Sequence, residues 1–363
     1  MAFMNKFNFT YKLGKRKIVL AGLLTFVMLA TAIGYANRGA LASWGFDRLL
    51  SKDVEERLAD SYEPLPNHPA PLQTPPGETE DAQDRPFSVL LMGVDARGNE
   101  RGRSDTLIYT VVRPKDGRVL MISIPRDTYA EIAGKGSMDK ITHAYAFGGP
   151  EMAVASTEKL LDATVDHYAS INFQGFVKVV DELGGIPLPI TKDIVNKQAD
   201  HEKFTVKANQ PSYDGLDALN FVRYREDAGG DMSRAERNRQ FLDALIRKAA
   251  SLQQWSKIPE LLDIIGDHFR TDILPADMTD LVKRFLQIDH AITSYTLKGE
   301  GKRMGPDNLW YYEADEADLA DVKAAIAQWL DPDTASDLLR APGAVGEQDK
   351  ENEKENSAAR VYN

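Results

Sequence analysis

The segment that decides the fold is FSVLLMGVDARGNERGRSDTLIYTVVRPKDGRVLMISIP, Phe87 to Pro125. Three apolar runs of strand length, FSVLLMGV, DTLIYTVVR and RVLMISIP, are separated by two gaps. PKDG, the second gap, reads as a hairpin turn. Runs that are apolar at nearly every position, rather than at alternate ones, mark strands covered on both faces. The first gap is unusual. A tight turn would suffice there, yet it holds Asp95, Arg97, Arg101, Arg103 and Asp105.

Downstream, the pattern changes to helical spacing. EMAVASTEKLLDA (151–163) carries Met152, Leu160 and Leu161, and FQGFVKVVDEL (173–183) carries Phe173, Phe176, Val177, Val180 and Leu183 at i, i+3, i+4 and i+7. GGIPLPI stops the second helix and begins an extended piece. Further helices are expected at 214–225, 233–251, 258–269, 276–288 and 315–330. Strands flanked by helices give an α/β fold with a mixed central sheet covered by helices on both sides, an α-β-α sandwich.

Upstream, Ile18–Ala36 is a run of 19 uncharged residues behind a flank containing Lys6, Lys12, Lys15, Arg16 and Lys17. At 1.5 Å per residue it spans about 28 Å, close to a bilayer core, and the basic flank puts the N-terminus inside. Its length favours an uncleaved anchor over a signal peptide, for which ALAS at 40–43 would be the cleavage pattern. The expected organisation is a basic cytoplasmic tail (1–17), a transmembrane helix (18–36), a Pro- and acid-rich extracellular linker (37–85), a folded domain (86–335) and a disordered polar tail (336–363). The absence of cysteine excludes thiol nucleophiles, thiolate metal sites and disulfides. A net charge of −11 argues against general nucleic-acid binding.

The charged residues recur at the ends of apolar runs. Arg126 and Asp127 follow RVLMISIP, Arg223 and Arg225 end DGLDALNFVRYR, and Arg234 and Arg237 share a face of the next helix with Asn238 beside them. Each alone has an ordinary explanation as a solvated or ion-paired arginine, and Arg97 and Arg101 are read that way. Together they place cations at the strand ends, the edge where open α/β sheets bind ligands. Guanidinium forks match phosphate oxygens. Asp95 and Asp105 cannot bind phosphate directly but can hold Mg²⁺, or Mn²⁺, which also grips phosphate. The ligand expected is phosphate or pyrophosphate with a divalent metal. There is no P-loop, G-x-G-x-x-G, H-E-x-x-H or G-x-S-x-G.

In order, VLLMGVD, RSDTLIYTVV, MISIPRDTY, KITHAYAFGG, VDELGGIPL, DGLDALNFVRYR and DMSRAERNRQ resemble the motifs of the LytR-CpsA-Psr family of cell-wall phosphotransferases, from about Ser88 to Leu245. The resemblance implies a membrane-anchored, Mg²⁺-dependent enzyme. Such an enzyme moves an anionic glycopolymer, of teichoic acid or capsule type, from undecaprenyl pyrophosphate to peptidoglycan. It also implies roles: Asp95 and Asp105 around the metal, Arg103, Arg126, Arg223, Arg225 and Arg234 on the pyrophosphate, and Lys140 near the polar head. Asn238 stands where the family often has glutamine. Asp95 or Asp127 would take the proton of the attacking hydroxyl. Met152, Leu160, Phe173, Phe176, Val177 and Val180 are candidates for a lipid-pocket wall, with core packing as the alternative. A pyrophosphate hydrolase and a non-catalytic lipid-binding regulator are the competing functions.

Overall fold

The computed structural model describes residues 56, 58–66, 84–95, 101–197, 203–224, 230–250, 261, 263–264, 266, 268–278, 281 and 291–343. All fall in one compact unit, Ser51–Asn363. The three apolar runs are β1 (Phe87–Val94), β2 (Ser104–Arg113) and β3 (Arg118–Ile124). They pair antiparallel in sequence order, and the turn at PKDG closes on Gly117 at φ 66°, a left-handed position suited to glycine. Two edges extend the sheet. β6 (His167–Asn172) joins β1 in parallel and pairs antiparallel with β9 (Phe269–Thr271), while β10 (Ala291–Thr296) joins β3 in parallel. The result is a mixed six-stranded sheet in the order β10-β3-β2-β1-β6-β9.

Both faces are covered, as expected from strands without alternation. On one, Leu90, Met92, Leu107, Tyr109, Leu120 and Ile122 pack with α1 (Thr142–Leu161) and α5 (Glu316–Leu330), chiefly through Val154, Leu161, Val322, Ile326 and Trp329. The opposite face presents Leu91, Ile108, Met121 and Ile292 to Leu242 of α4 (Gly230–Ala250). A second apolar cluster forms between α2 (Phe173–Glu182), α3 (Gly215–Arg223) and α4, around Val180, Ile186, Phe221 and Phe241. There α2 and α3 touch at Gly215, where an added Cβ would lie 2.2 Å from the Val177 carbonyl oxygen. Asn172 and Asp214 cap α2 and α3 by accepting bonds from the amides of Gly175 and Asp217.

Several expectations change. The helix expected at 151–163 begins at Thr142 and breaks at Gly149, whose φ of 68° interrupts it, so that Pro150 opens a second segment. Phe269 ends no helix; it starts β9. Short hairpins β4 (Tyr129–Ile132) with β5 (Ser137–Lys140), and β11 (Gly299–Met304) with β12 (Leu309–Ala314), carried no clear apolar period. A third small pair is β7 (Ile194–Asn196) with β8 (Phe204–Val206).

The packed body is wider than 86–335. Leu58 and Ser61 are buried, Glu63 N–H donates to the Thr271 carbonyl, and the Trp329 indole N–H donates to the Arg340 carbonyl. The apolar run 18–36 lies outside the described residues, among which no helix is long and apolar enough to cross a membrane.

Candidate active site

The odd gap between β1 and β2 is built on a bulge. Gly93 pairs with Thr106 and Val94 with Ser104, so Asp105 is an extra residue with no partner on β1. A bulge of this kind re-aims one side chain at a strand end. Beyond the last rung, the Asp95 amide donates to the Arg103 carbonyl at 3.0 Å. Asp95 and Asp105 therefore flank one rung of the ladder.

Asp105 reaches the second residue after β3. Its Oδ1 lies 2.5 Å from Arg126 Nη1, Arg126 Nε lies 3.6 Å from Asp127 Oδ2, and Lys140 Nζ lies 2.8 Å from Asp127 Oδ1. The four side chains form an alternating chain of charge, and Asp127 is buried. Burying a carboxylate is tolerable only when cations and hydrogen bonds surround it, as here. The backbone holds the chain in place. Thr142 N–H donates to the Arg126 carbonyl, Ile141 N–H to the Thr128 carbonyl, and the Thr142 hydroxyl to the Ser104 carbonyl at 2.9 Å. The start of α1 is thus bonded to both strand ends at once. Across the sheet, Asn238 Nδ2 donates to the Thr106 hydroxyl at 3.2 Å, which brings α4 to the bulge.

The other expected arginines are distributed differently. Arg103 is exposed at the mouth of β2, and Arg101 is exposed and reaches the Phe147 carbonyl at 3.4 Å. Arg223, at the end of α3, lies 4.9 Å from the Phe173 ring centroid, a cation–π contact. Arg237 serves the fold instead, since it is buried, donates to the Tyr224 carbonyl and packs over the Tyr224 ring. Arg97, Arg225 and the Arg234 side chain lie outside the described residues.

The six residues proposed as a lipid wall are not brought together. Met152 and Leu160 pack on the core beneath α1, whereas Phe173, Phe176, Val177 and Val180 belong to the cluster between α2, α3 and α4. The helical stripe reads as one surface in the sequence, but α1 and α2 carry it to separate clusters. In the second cluster Phe176 stacks on Phe241 with centroids 4.4 Å apart. Sequence reading missed Thr106, Thr142 and Ser104, whose bonds assemble the site. Only their position beside charged residues could have marked them.

The donor set suits a hard cation. Asp95 and Asp105 offer two carboxylates, enough for Mg²⁺ where phosphates and water fill the remaining positions. Among the described residues no group of three or more His, Cys, Asp or Glu could hold an ion by itself. An ion held here would depend on substrate oxygens.

Comparison with known proteins gives the same frame. The pattern of the LytR_cpsA_psr family matches residues 58–328. A polyisoprenyl-teichoic acid–peptidoglycan teichoic acid transferase, TagU, of Bacillus licheniformis is 39% identical over 246 residues, 68% of this chain and 78% of that one. TagU of Halalkalibacterium halodurans is 33% identical, with 87% of this chain and 99% of that one covered. Among solved structures, Bacillus subtilis TagV superposes with a TM-score of 0.59 at 32% identity, covering 68% of this chain and 98% of TagV. TagT bound to LIIa-WTA superposes at 0.57 and 28% identity, covering 74% and 99%. With three quarters of its length under the family pattern and its sheet, helices and motif order in agreement, the chain is a member of the LytR-CpsA-Psr family.

Proposed function

We propose that the protein is a phosphotransferase that moves an anionic glycopolymer from a polyisoprenyl pyrophosphate carrier to peptidoglycan. The observation that carries the reading is the chain Asp105–Arg126–Asp127–Lys140 at the ends of adjacent strands. Phosphoryl transfer needs positioning and charge neutralisation more than covalent help from the protein, and this arrangement supplies both. Relatives named as teichoic acid transferases support the substrate class.

Arg126 and Lys140, with Arg103, Arg223, Arg225 and Arg234, bind the pyrophosphate and neutralise charge that grows on the leaving phosphate. Asp105 and Asp127 hold Arg126 and Lys140 in position meanwhile. A hydroxyl of the acceptor sugar attacks the sugar-side phosphorus, its proton passes to Asp95 or Asp127, and the P–O bond to the lipid phosphate breaks. Asp95 and Asp105 would hold Mg²⁺ or Mn²⁺, which supplies Lewis-acid neutralisation of the phosphate oxygens. The cluster of Phe173, Phe176, Val177 and Val180, which Arg223 meets through Phe173, receives the first isoprene units of the carrier. The apolar run 18–36 anchors the chain with the catalytic domain outside the membrane, where the carrier's head lies.

Arg126→Ala tests the reading. Polymer bound to peptidoglycan should fall about 100-fold or more, the loss typical of removing one charge-stabilising donor, while the protein stays folded by circular dichroism. Unchanged attachment, or release of free polymer with water as the only acceptor, would overturn it.

A further inference from the structure

Beside the charged chain lies a surface that the reaction as described does not use. Hairpin β11–β12 is attached to the site by its backbone: the Tyr312 amide donates to the Asp127 carbonyl at 2.8 Å, and Thr128 bridges Tyr312 in parallel. Tyr311 therefore falls next to Tyr129, with ring centroids 5.0 Å apart at 69°. Lys140 Nζ, which holds Asp127, lies 5.8 Å from the Tyr311 centroid. Two residues before Tyr311 and on the same face of β12, Leu309 is 50% exposed. Trp310 points to the opposite face of the hairpin, over Gly301, where an added Cβ would come within 2.0 Å of its indole.

The hairpin's own cations are engaged within it. Lys302 pairs with Glu313, and Arg303 donates to the Asn308 carbonyl at 2.9 Å. The surface offered beside the site is aromatic and carries two phenol hydroxyls, with Lys302 turned onto Glu313. Such side chains present an apolar face with a polar handle and lose little conformational freedom on binding. That chemistry suits the C–H face and hydroxyls of a pyranose, not a phosphate. An exposed apolar patch continuous with a site is itself a mark of binding.

We propose that Tyr129 and Tyr311 form a stacking ledge that seats the acceptor glycan strand, so that its sugar hydroxyl is delivered beside Asp127 and Lys140. The inference rests on the transferase reading for its occupant, and its test separates the two.

Soluble oligosaccharides of N-acetylglucosamine and N-acetylmuramic acid are titrated into the full-length protein in detergent, with calorimetry for affinity. Trp310→Phe, on the other face of the hairpin, should bind as the wild type does. Tyr311→Ala should weaken binding about tenfold and raise the acceptor KM with little change in kcat, while Tyr311→Phe keeps most of the affinity. Equal affinity in Tyr311→Ala and the wild type overturns the ledge even where transfer proceeds. So does a Tyr311→Ala protein that loses affinity for the lipid-linked donor alone, because the ledge would then serve the donor's first sugar. Glycan binding lost in Tyr311→Ala, in a wild type that transfers no polymer, upholds the ledge and brings down the transferase reading instead.

Discussion

Asp127 illustrates how one side chain couples recognition to position. Its two oxygens face Lys140 and Arg126, and its own carbonyl accepts the Tyr312 amide. Replacing it with Asn keeps the shape and removes the charge that aligns two cations. Asp127→Asn should therefore raise the KM for the lipid-linked donor, by roughly 10-fold or more at about 1.4 kcal/mol per tenfold. Steady-state kinetics with varied donor checks this. An unchanged KM with a collapsed kcat would instead assign Asp127 to proton transfer. Nothing in the local sequence separates these roles. IPRD reveals a charged pair after a strand, but not that the lysine of SMDK, thirteen residues on, closes around it.

At the scale of elements, sequence reading succeeded where a segment's partners are near in the chain. β1, β2 and β3 were visible because continuous apolar runs mean burial on both sides, and α2 because its stripe has helical period. It failed where long-range contacts decide. HYASIN became the internal strand β6, although His167, Ser170 and Asn172 interrupt any period: Asn172 caps α2 and Ser170 faces β9. GEGKRM became β11 only because β12 pairs with it. A buried guanidinium was also illegible. Arg113, at the end of β2, bonds Asp116 and the carbonyls of Trp329, Asp331 and Thr334, so it satisfies carbonyls left open at the C-terminus of α5. Arg113→Ala should cost about 3–5 kcal/mol, as for other broken buried pairs, and lower the melting temperature by roughly 6–20 °C. A calorimetric scan decides, and a shift below about 2 °C would mean that α5 is held by Val322, Ile326 and Trp329 alone.

For the molecule as a whole, the buried tyrosines set a limit in alkali. Tyr109 and Tyr168 are fully buried, with hydroxyls donated to the carbonyls of Thr164 and Glu63, and burial pushes both phenols far above the ordinary 10.0. Burial, aided by Asp318, does the same to Tyr295. A raised folded value means that the native state keeps protons the unfolded chain would release. The contribution is complete below about pH 10 and is lost as pH climbs towards the folded values. Stability should be level into mildly alkaline buffer and then fall steeply, and in Tyr109→Phe the fall should be shallower. Chemical denaturation at a series of pH values measures both slopes. Equal slopes in the two proteins would show that Tyr109 ionises in the native state.

The bulge at Asp105 carries one more consequence. The Asp95 amide and the Arg103 carbonyl close a neck at the end of the ladder. On the strand side of that neck the site depends on counting. Deleting Asp105 alone would let the ladder pair without interruption, with Ser104 taking the next rung, and no single substitution could restore the lost direction. The site therefore depends on a fixed tally of residues between Ser104 and Arg126, and insertions and deletions there, more than substitutions, are the changes by which it can be lost.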